Sequence, residues 1–72
     1  MMKSRVKEIM EKRGVTIRQM VENTGLADVT ILRARREQIV QCRLSTLKII
    51  ADYLECSVKD LFEEENLPPG RQ

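Results

Sequence analysis

Apolar side chains recur at helical spacing through most of the chain. Val6, Ile9 and Met10 stand at i, i+3 and i+4 in a stretch otherwise rich in Lys, Arg and Glu, which predicts a first amphipathic helix. Gly14 stops it. Thr16 suits the start of a second helix, because its hydroxyl can accept from the backbone N–H of Gln19 while the Gln19 side chain reaches back, a reciprocal capping box. That helix runs from Ile17 to Thr24, with Met20 and Val21 inward, and Gly25 is fitted to the left-handed conformation that ends it. Leu26 follows as an anchor.

A third helix is predicted over residues 28–36. At about 100° per residue, Asp28, Val29, Leu32, Arg33 and Arg36 share an arc of roughly 140°, while Ala27, Thr30, Ile31 and Ala34 fall on the other side. The second face is small and mostly apolar, so it can sit down on the preceding helix. The first is left free, and a mixed face of Asp, Val, Leu and Arg makes poor plain solvent surface but a good reading surface.

The stretch Gln38-Ile39-Val40-Gln41-Cys42 has neither glycine nor proline, and its two β-branched residues, Ile39 and Val40, are expected to tuck against the core or to form part of a subunit interface. Leu44, Leu47, Ile50, Ala51 and Leu54 mark a fourth amphipathic helix, capped by Ser45 or the residues just before it and ended by Glu55 and Cys56. Ser57 opens a last helical turn or two, with Asp60 as its capping partner and Leu61 and Phe62 as a closing apolar plug. The reading is one all-α domain over residues 1–65 and a flexible tail over 66–72, with no repeat or linker.

Composition narrows the class. Seventy-two residues are too few for two domains, and the near absence of aromatics, only Tyr53 and Phe62, belongs to a helical bundle. No apolar run approaches the roughly 20 residues needed to span a bilayer, and no secretory leader is visible, so a soluble cytoplasmic protein is expected. Cys42 and Cys56 stand without any histidine and without x-x spacing; no metal site, cofactor or redox motif is expected, and both read as core or half-buried thiols. The sequence also lacks a nucleophile motif, a phosphate-cradling glycine loop and paired carboxylates in an apolar setting, so it does not read as an enzyme.

Charge adds a direction. The formal net charge is only +2, but Asp60, Glu63, Glu64 and Glu65 lie together near one end, and residues 1–59 carry twelve Lys or Arg against seven Asp or Glu. Arg33, Arg35, Arg36, Arg43 and Lys48 face a single Glu37, a concentration suited to phosphate, although charge alone is equally served by a solvated face.

A short capped helix, a turn at Gly25 and a second helix with one small-residue face make a helix-turn-helix. The run from Thr16 through Leu26, with Thr30-Ile31 and Arg33 to Arg36, resembles the helix-turn-helix of phage repressor and Cro proteins, the Xre-like group. Leu44-Ser45-Thr46-Leu47, Ile50-Ala51, Leu54 and Ser57 to Phe62 are similar to that family's fourth and fifth helices, so the resemblance covers about residues 4–62. It implies a compact five-helix repressor-like domain that regulates transcription, usually as a homodimer on a two-fold-related double-stranded DNA operator. Three departures stand out: Ile17 where many members have Gln, Val21 where Ala is usual, and a 37–43 connection one residue longer and without glycine or proline, which suggests a third helix longer than usual.

Placed on that pattern, Asp28, Val29, Leu32 and Arg33 are the candidate base contacts. Arg33 can donate to guanine O6 and N7, Val29 can touch a thymine methyl, and Asp28 can accept from cytosine N4–H₂. Thr16, Arg18, Gln19, Arg36 and Arg43 are the candidate phosphate contacts. Duller roles compete: Asp28 as an N-cap, Leu32 partly buried or against a partner, and Arg35 as a solvated charge or an ion-pair partner. A second function with the same fold is a protein-interaction module, such as an antitoxin or accessory subunit. For pairing of two subunits the expected surface is the last helix and acidic end, with Leu61, Phe62 and Leu67.

Overall fold

The computed structural model describes residues 2–64. It contains four α-helices, α1 (Val6–Arg13), α2 (Ile17–Thr24), α3 (Asp28–Ala34) and α4 (Leu44–Tyr53). Two 3-10 helices, Glu37–Gln41 and Val58–Leu61, and two short strands, β1 (Met2–Ser4) and β2 (Phe62–Glu64), complete it. The class is all-α, with a two-stranded ribbon that the sequence pattern did not announce. The expected tail, with Leu67, lies outside the described residues.

Helix boundaries follow from local chemistry. Gly14 and Gly25 end α1 and α2 at φ 67° and 78°, a left-handed conformation that suits residues without a Cβ. The capping box of α2 is formed on both sides, Gln19 N–H to Thr16 Oγ1 at 3.1 Å and Thr16 N–H to Gln19 Oε1 at 2.9 Å. A second box opens the 3-10 helix Val58–Leu61, where Ser57 and Asp60 take the same parts.

This last element is four residues long, a 3-10 turn rather than the expected fifth α-helix. It ends because the chain straightens at Phe62 to pair with β1. The pairing is antiparallel, with Ser4 opposite Phe62 and Lys3 opposite Glu63, and the Arg5 N–H continues it to the Leu61 carbonyl at 2.7 Å. Lys3 opposite Glu63 puts unlike charges across the ribbon, a favourable cross-strand pair.

The core draws one or more side chains from every helix: Val6 and Met10 of α1, Met20 of α2, Ile31 and Ala34 of α3, Leu47, Ile50 and Ala51 of α4, then Leu54 and Leu61. Ile39 joins them from the first 3-10 helix. Helix α3 packs on α2, and α2 on α4. Val21 is half-buried against this core, and Ala34 is fully buried.

Several expectations need correction. Helix α3 is shorter than predicted, not longer: Arg35 is its C-cap, and Arg36 is already extended at φ −126° and ψ −174°. The Ser4 hydroxyl donates to the Ala34 carbonyl at this point, so the first strand holds the end of the helix. Of the two alternatives for the cap of α4, it is a residue just before Ser45, Arg43, that holds the place, and Ser45 lies inside the first turn. Val40, expected inside or at an interface, and Leu44, expected inside, are 59% and 70% exposed. Periodicity gave Leu44 the right direction on its helix, but at the first helical residue no other element covers it.

Leu61 is wholly buried and so is not free to form the pairing surface expected of it, while Phe62 is half-buried against the core. Arg35 is half-buried, not solvated, and its Nε has no partner among the described residues.

Candidate nucleic-acid interface

Helix α3 divides as its angles demand. Ile31 and Ala34 face inward with no exposure, while Asp28, Val29, Leu32 and Arg33 are exposed on the opposite side. Val29 and Leu32 keep 47% and 38% of their surface in solvent. Among the described residues nothing covers the exposed part of these apolar side chains, and burying each against a ligand would gain part of the roughly 1.5–3 kcal/mol that full burial of such a side chain is worth.

Asp28 is not the N-cap of α3. Ala27 holds that place, with extended backbone and no side-chain acceptor, and the carbonyl of Ala27 accepts from Thr30 and Ile31. Asp28 therefore sits in the first helical turn, where its negative charge is favourable to the helix dipole and its carboxylate remains exposed.

Two shallow clefts meet at Arg33. One, of about 230 Å³, is lined by Val29, Leu32, Arg33, Arg36 and Gln38. The other, of about 270 Å³, is lined by Thr30, Arg33, Gln41, Cys42, Arg43 and Thr46. Arg36 has left the helix, so its expected angle does not apply, yet the turn after Arg35 returns it to the same cleft. Arg43 reaches the neighbourhood from a different element, as N-cap of α4.

Ion pairing engages four of the cations, while Lys3, Lys7, Lys12 and Lys59 stand without an ion-paired carboxylate elsewhere among the described residues. Arg5, Arg13, Arg18 and Lys48 each pair with a carboxylate, on Glu8, Glu55, Glu22 and Asp52. Arg33, Arg36 and Arg43 have no such partner among the described residues. Three uncompensated guanidinium groups thus gather around one helix face, each with donors arranged to fit a planar or tetrahedral anion.

The residues at the start of α2 are placed less freely. Thr16 and Gln19 are exposed but occupied with each other: the Thr16 oxygen accepts from Gln19, which leaves its O–H to donate outward, and Gln19 keeps its two amide N–H donors. Arg18 is tied to Glu22 at 3.3 Å across one turn of α2, an exposed pair of little stabilising value that an external phosphate could outcompete. Ile17 is half-buried and packs against the core.

Gln38, Gln41, Thr30 and Thr46 are the residues that sequence reasoning missed. The two glutamines lie in the connection whose shape the sequence leaves open, and only the 3-10 turn shows that it wraps back beside α3. Cys42 is half-buried here. Burial pushes its thiol up from the ordinary range, against the opposing pull of the Arg33 guanidinium, so it is held neutral at physiological pH. Cys56 is likewise raised, by burial and then by Asp60, with Arg13 opposing. Neither thiol has the electropositive activation of a nucleophile. Among the described residues no group of His, Cys, Asp or Glu could hold a metal ion, and no helix is long and apolar enough to cross a membrane.

Comparison with known proteins agrees with this geometry. Residues 5–66 match the profile of the Cro/C1-type HTH DNA-binding domain. The chain is also 33% identical over 64 residues to the SPbeta prophage-derived uncharacterized HTH-type transcriptional regulator YopO of Bacillus subtilis (strain 168), with 89% of this chain and 90% of that protein covered. No solved structure matches it. With α2, the Gly25 turn and α3 in place and the match spanning nearly all of the described residues, the chain belongs to the Cro/C1-type helix-turn-helix DNA-binding family.

Proposed function

We propose that this protein is a transcriptional regulator, a repressor by function, that lays α3 in the major groove of an operator and reads base edges with Asp28, Val29, Leu32 and Arg33. The observation that carries the reading is the clustering of exposed Val29 and Leu32 with the unpaired Arg33 and Arg36 in one cleft on the outer face of α3. A solvated face has no use for the two apolar side chains, and a purely electrostatic contact has none either. A base-reading face uses both, because the major groove offers thymine methyls beside guanine acceptors.

Arg36 and Arg43 flank this face as phosphate contacts, with Thr16, Arg18 and Gln19 at the start of α2 on the opposite backbone. The protein acts in the cytoplasm as a homodimer and needs neither metal nor cofactor. One domain of this size spans a half-site, and a second copy on the two-fold-related half doubles the phosphate contacts and the specificity.

Selection of bound sites from random duplex DNA at near-physiological salt tests the proposal. The expected product is one palindromic motif with half-sites about one helical turn apart. Arg33→Ala should relax the preference for guanine at one position of each half-site. Recovery of all sequences in equal amount by the unaltered protein would defeat it.

A second reading, a protein-interaction module such as an antitoxin or accessory subunit, draws on the uncharged and exposed Val40 and Leu44. Ionic strength discriminates, since an apolar interface responds little to salt whereas a DNA contact weakens steeply.

A further inference from the structure

We infer that Gln38, outside the helix-turn-helix, is a further specificity-determining residue that reads an adenine at the edge of the site read by α3. The inference rests on the proposed use of the outer face of α3 for DNA. Its own basis is the position of Gln38 in the fold: although it belongs to the 3-10 helix Glu37–Gln41, it lines the same cleft as Val29, Leu32, Arg33 and Arg36.

The geometry of that helix explains the placement. At about three residues per turn, successive side chains are separated by roughly 120°. Ile39 is buried and fixes the inward direction, so its two neighbours leave on opposite sides. Gln38 enters the cleft, and Val40 does not.

The backbone beneath Gln38 is tied down. The Ile39 N–H donates to the Arg36 carbonyl at 3.0 Å, the Cys42 N–H to the Ile39 carbonyl at 3.1 Å, and the Cys42 thiol to the Gln38 carbonyl at 4.0 Å. The first strand packs against the same turn. Only the side chain is left to adjust, and among the described residues its amide has no hydrogen-bond partner. A primary amide offers an acceptor and a donor side by side, the complement of adenine N6–H₂ and N7. An uncharged amide can also serve on phosphate, as proposed for Gln19, but Gln38 shares its cleft with Val29, Leu32 and Arg33, the residues proposed to meet base edges. Base recognition is the use for which its chemistry is suited.

The test repeats the selection from random duplex DNA with the full chain, comparing the unaltered protein with Gln38→Ala and Gln38→Glu. Gln38 is exposed, so both variants are expected to fold, which thermal melting by circular dichroism checks. Gln38→Ala should lose an adenine preference of about 5- to 150-fold at one position per half-site, distinct from the position relaxed by Arg33→Ala. Gln38→Glu, an acceptor only, should move that position toward cytosine. A motif in which every base preference survives Gln38→Ala, whether or not affinity drops uniformly, overturns the inference and leaves the role of α3 standing. If the unaltered protein enriches no motif at all, both fall together.

Discussion

Glu55 adopts φ 59°, the one non-glycine residue among those described in the left-handed region. It follows the C-cap of α4, where the Cys56 N–H returns to the Ala51 carbonyl at 2.9 Å and a glycine is the usual occupant. A Cβ in this conformation costs about 1–2 kcal/mol, and the 3.9 Å contact of Glu55 with Arg13 is too exposed to offset much of it. Glu55→Gly is therefore expected to stabilise the domain by about 0.5–1 kcal/mol after its own entropic penalty, raising the thermal midpoint by roughly 2–8 °C. A midpoint unchanged or lowered in a calorimetric scan would mean that the ion pair outweighs the strain. Some residue-scale features were legible beforehand, because they depend on near neighbours alone: the Thr16–Gln19 and Ser57–Asp60 boxes and the glycine stops all formed as read. Glu55 was read only as a helix end, since nothing in the letter Glu announces a positive φ.

At the scale of elements, α3 is the sharpest case, since adjacent residues on it have opposite duties. Ile31 lies wholly in the core, and Leu32 is exposed in the cleft beside Arg33. Ile31→Ala should cost about 2–5 kcal/mol through lost burial and the cavity left behind, a large part of what a domain this small possesses. Leu32→Ala should stay within about 0.5 kcal/mol of the starting stability while weakening DNA binding. Urea denaturation checks both: a midpoint shift for Leu32→Ala as large as that for Ile31→Ala would contradict the assignment of the two faces. The same helix shows why its pattern could be read and its end could not. Burial of Ile31 and Ala34 follows from a 3.6-residue period, whereas termination at Ala34 is fixed by contact with Ser4, thirty residues earlier in the chain. The ribbon of β1 and β2 was invisible for a related reason. Three-residue strands carry too little alternation to recognise, and their partners come from opposite ends of the domain. Gln38 was missed because its usefulness depends on where the 3-10 turn lies, not on its spacing from Arg33.

For the whole molecule the argument is electrostatic. A net charge of +2 hides an uneven distribution: Arg33, Arg36 and Arg43, unpaired among the described residues, gather around the outer face of α3, whereas the unpaired Lys3, Lys7, Lys12 and Lys59 lie on β1, α1 and the last 3-10 helix. Glu63 stands opposite Lys3 in the ribbon, so unlike charges face each other across the short sheet. Each guanidinium that neutralises a phosphate releases condensed counterions, and log K falls with log salt by about 0.9 per contact on duplex DNA. With Arg36 and Arg43 on phosphate in each of two subunits, at least four contacts are expected, a slope of about −3.6 or steeper. Arg43→Ala removes one contact from each subunit, and the slope of the dimer should become shallower by about 2 without any change in which sequences are preferred. Arg33→Ala should do the reverse, altering base preference more than slope, if its donors face a base edge as proposed. Binding isotherms on one operator duplex, taken between 50 and 200 mM salt for the three proteins, separate these roles. An Arg43→Ala protein with an unchanged slope would place that guanidinium off the DNA, and the second cleft beside α3 would then need another occupant.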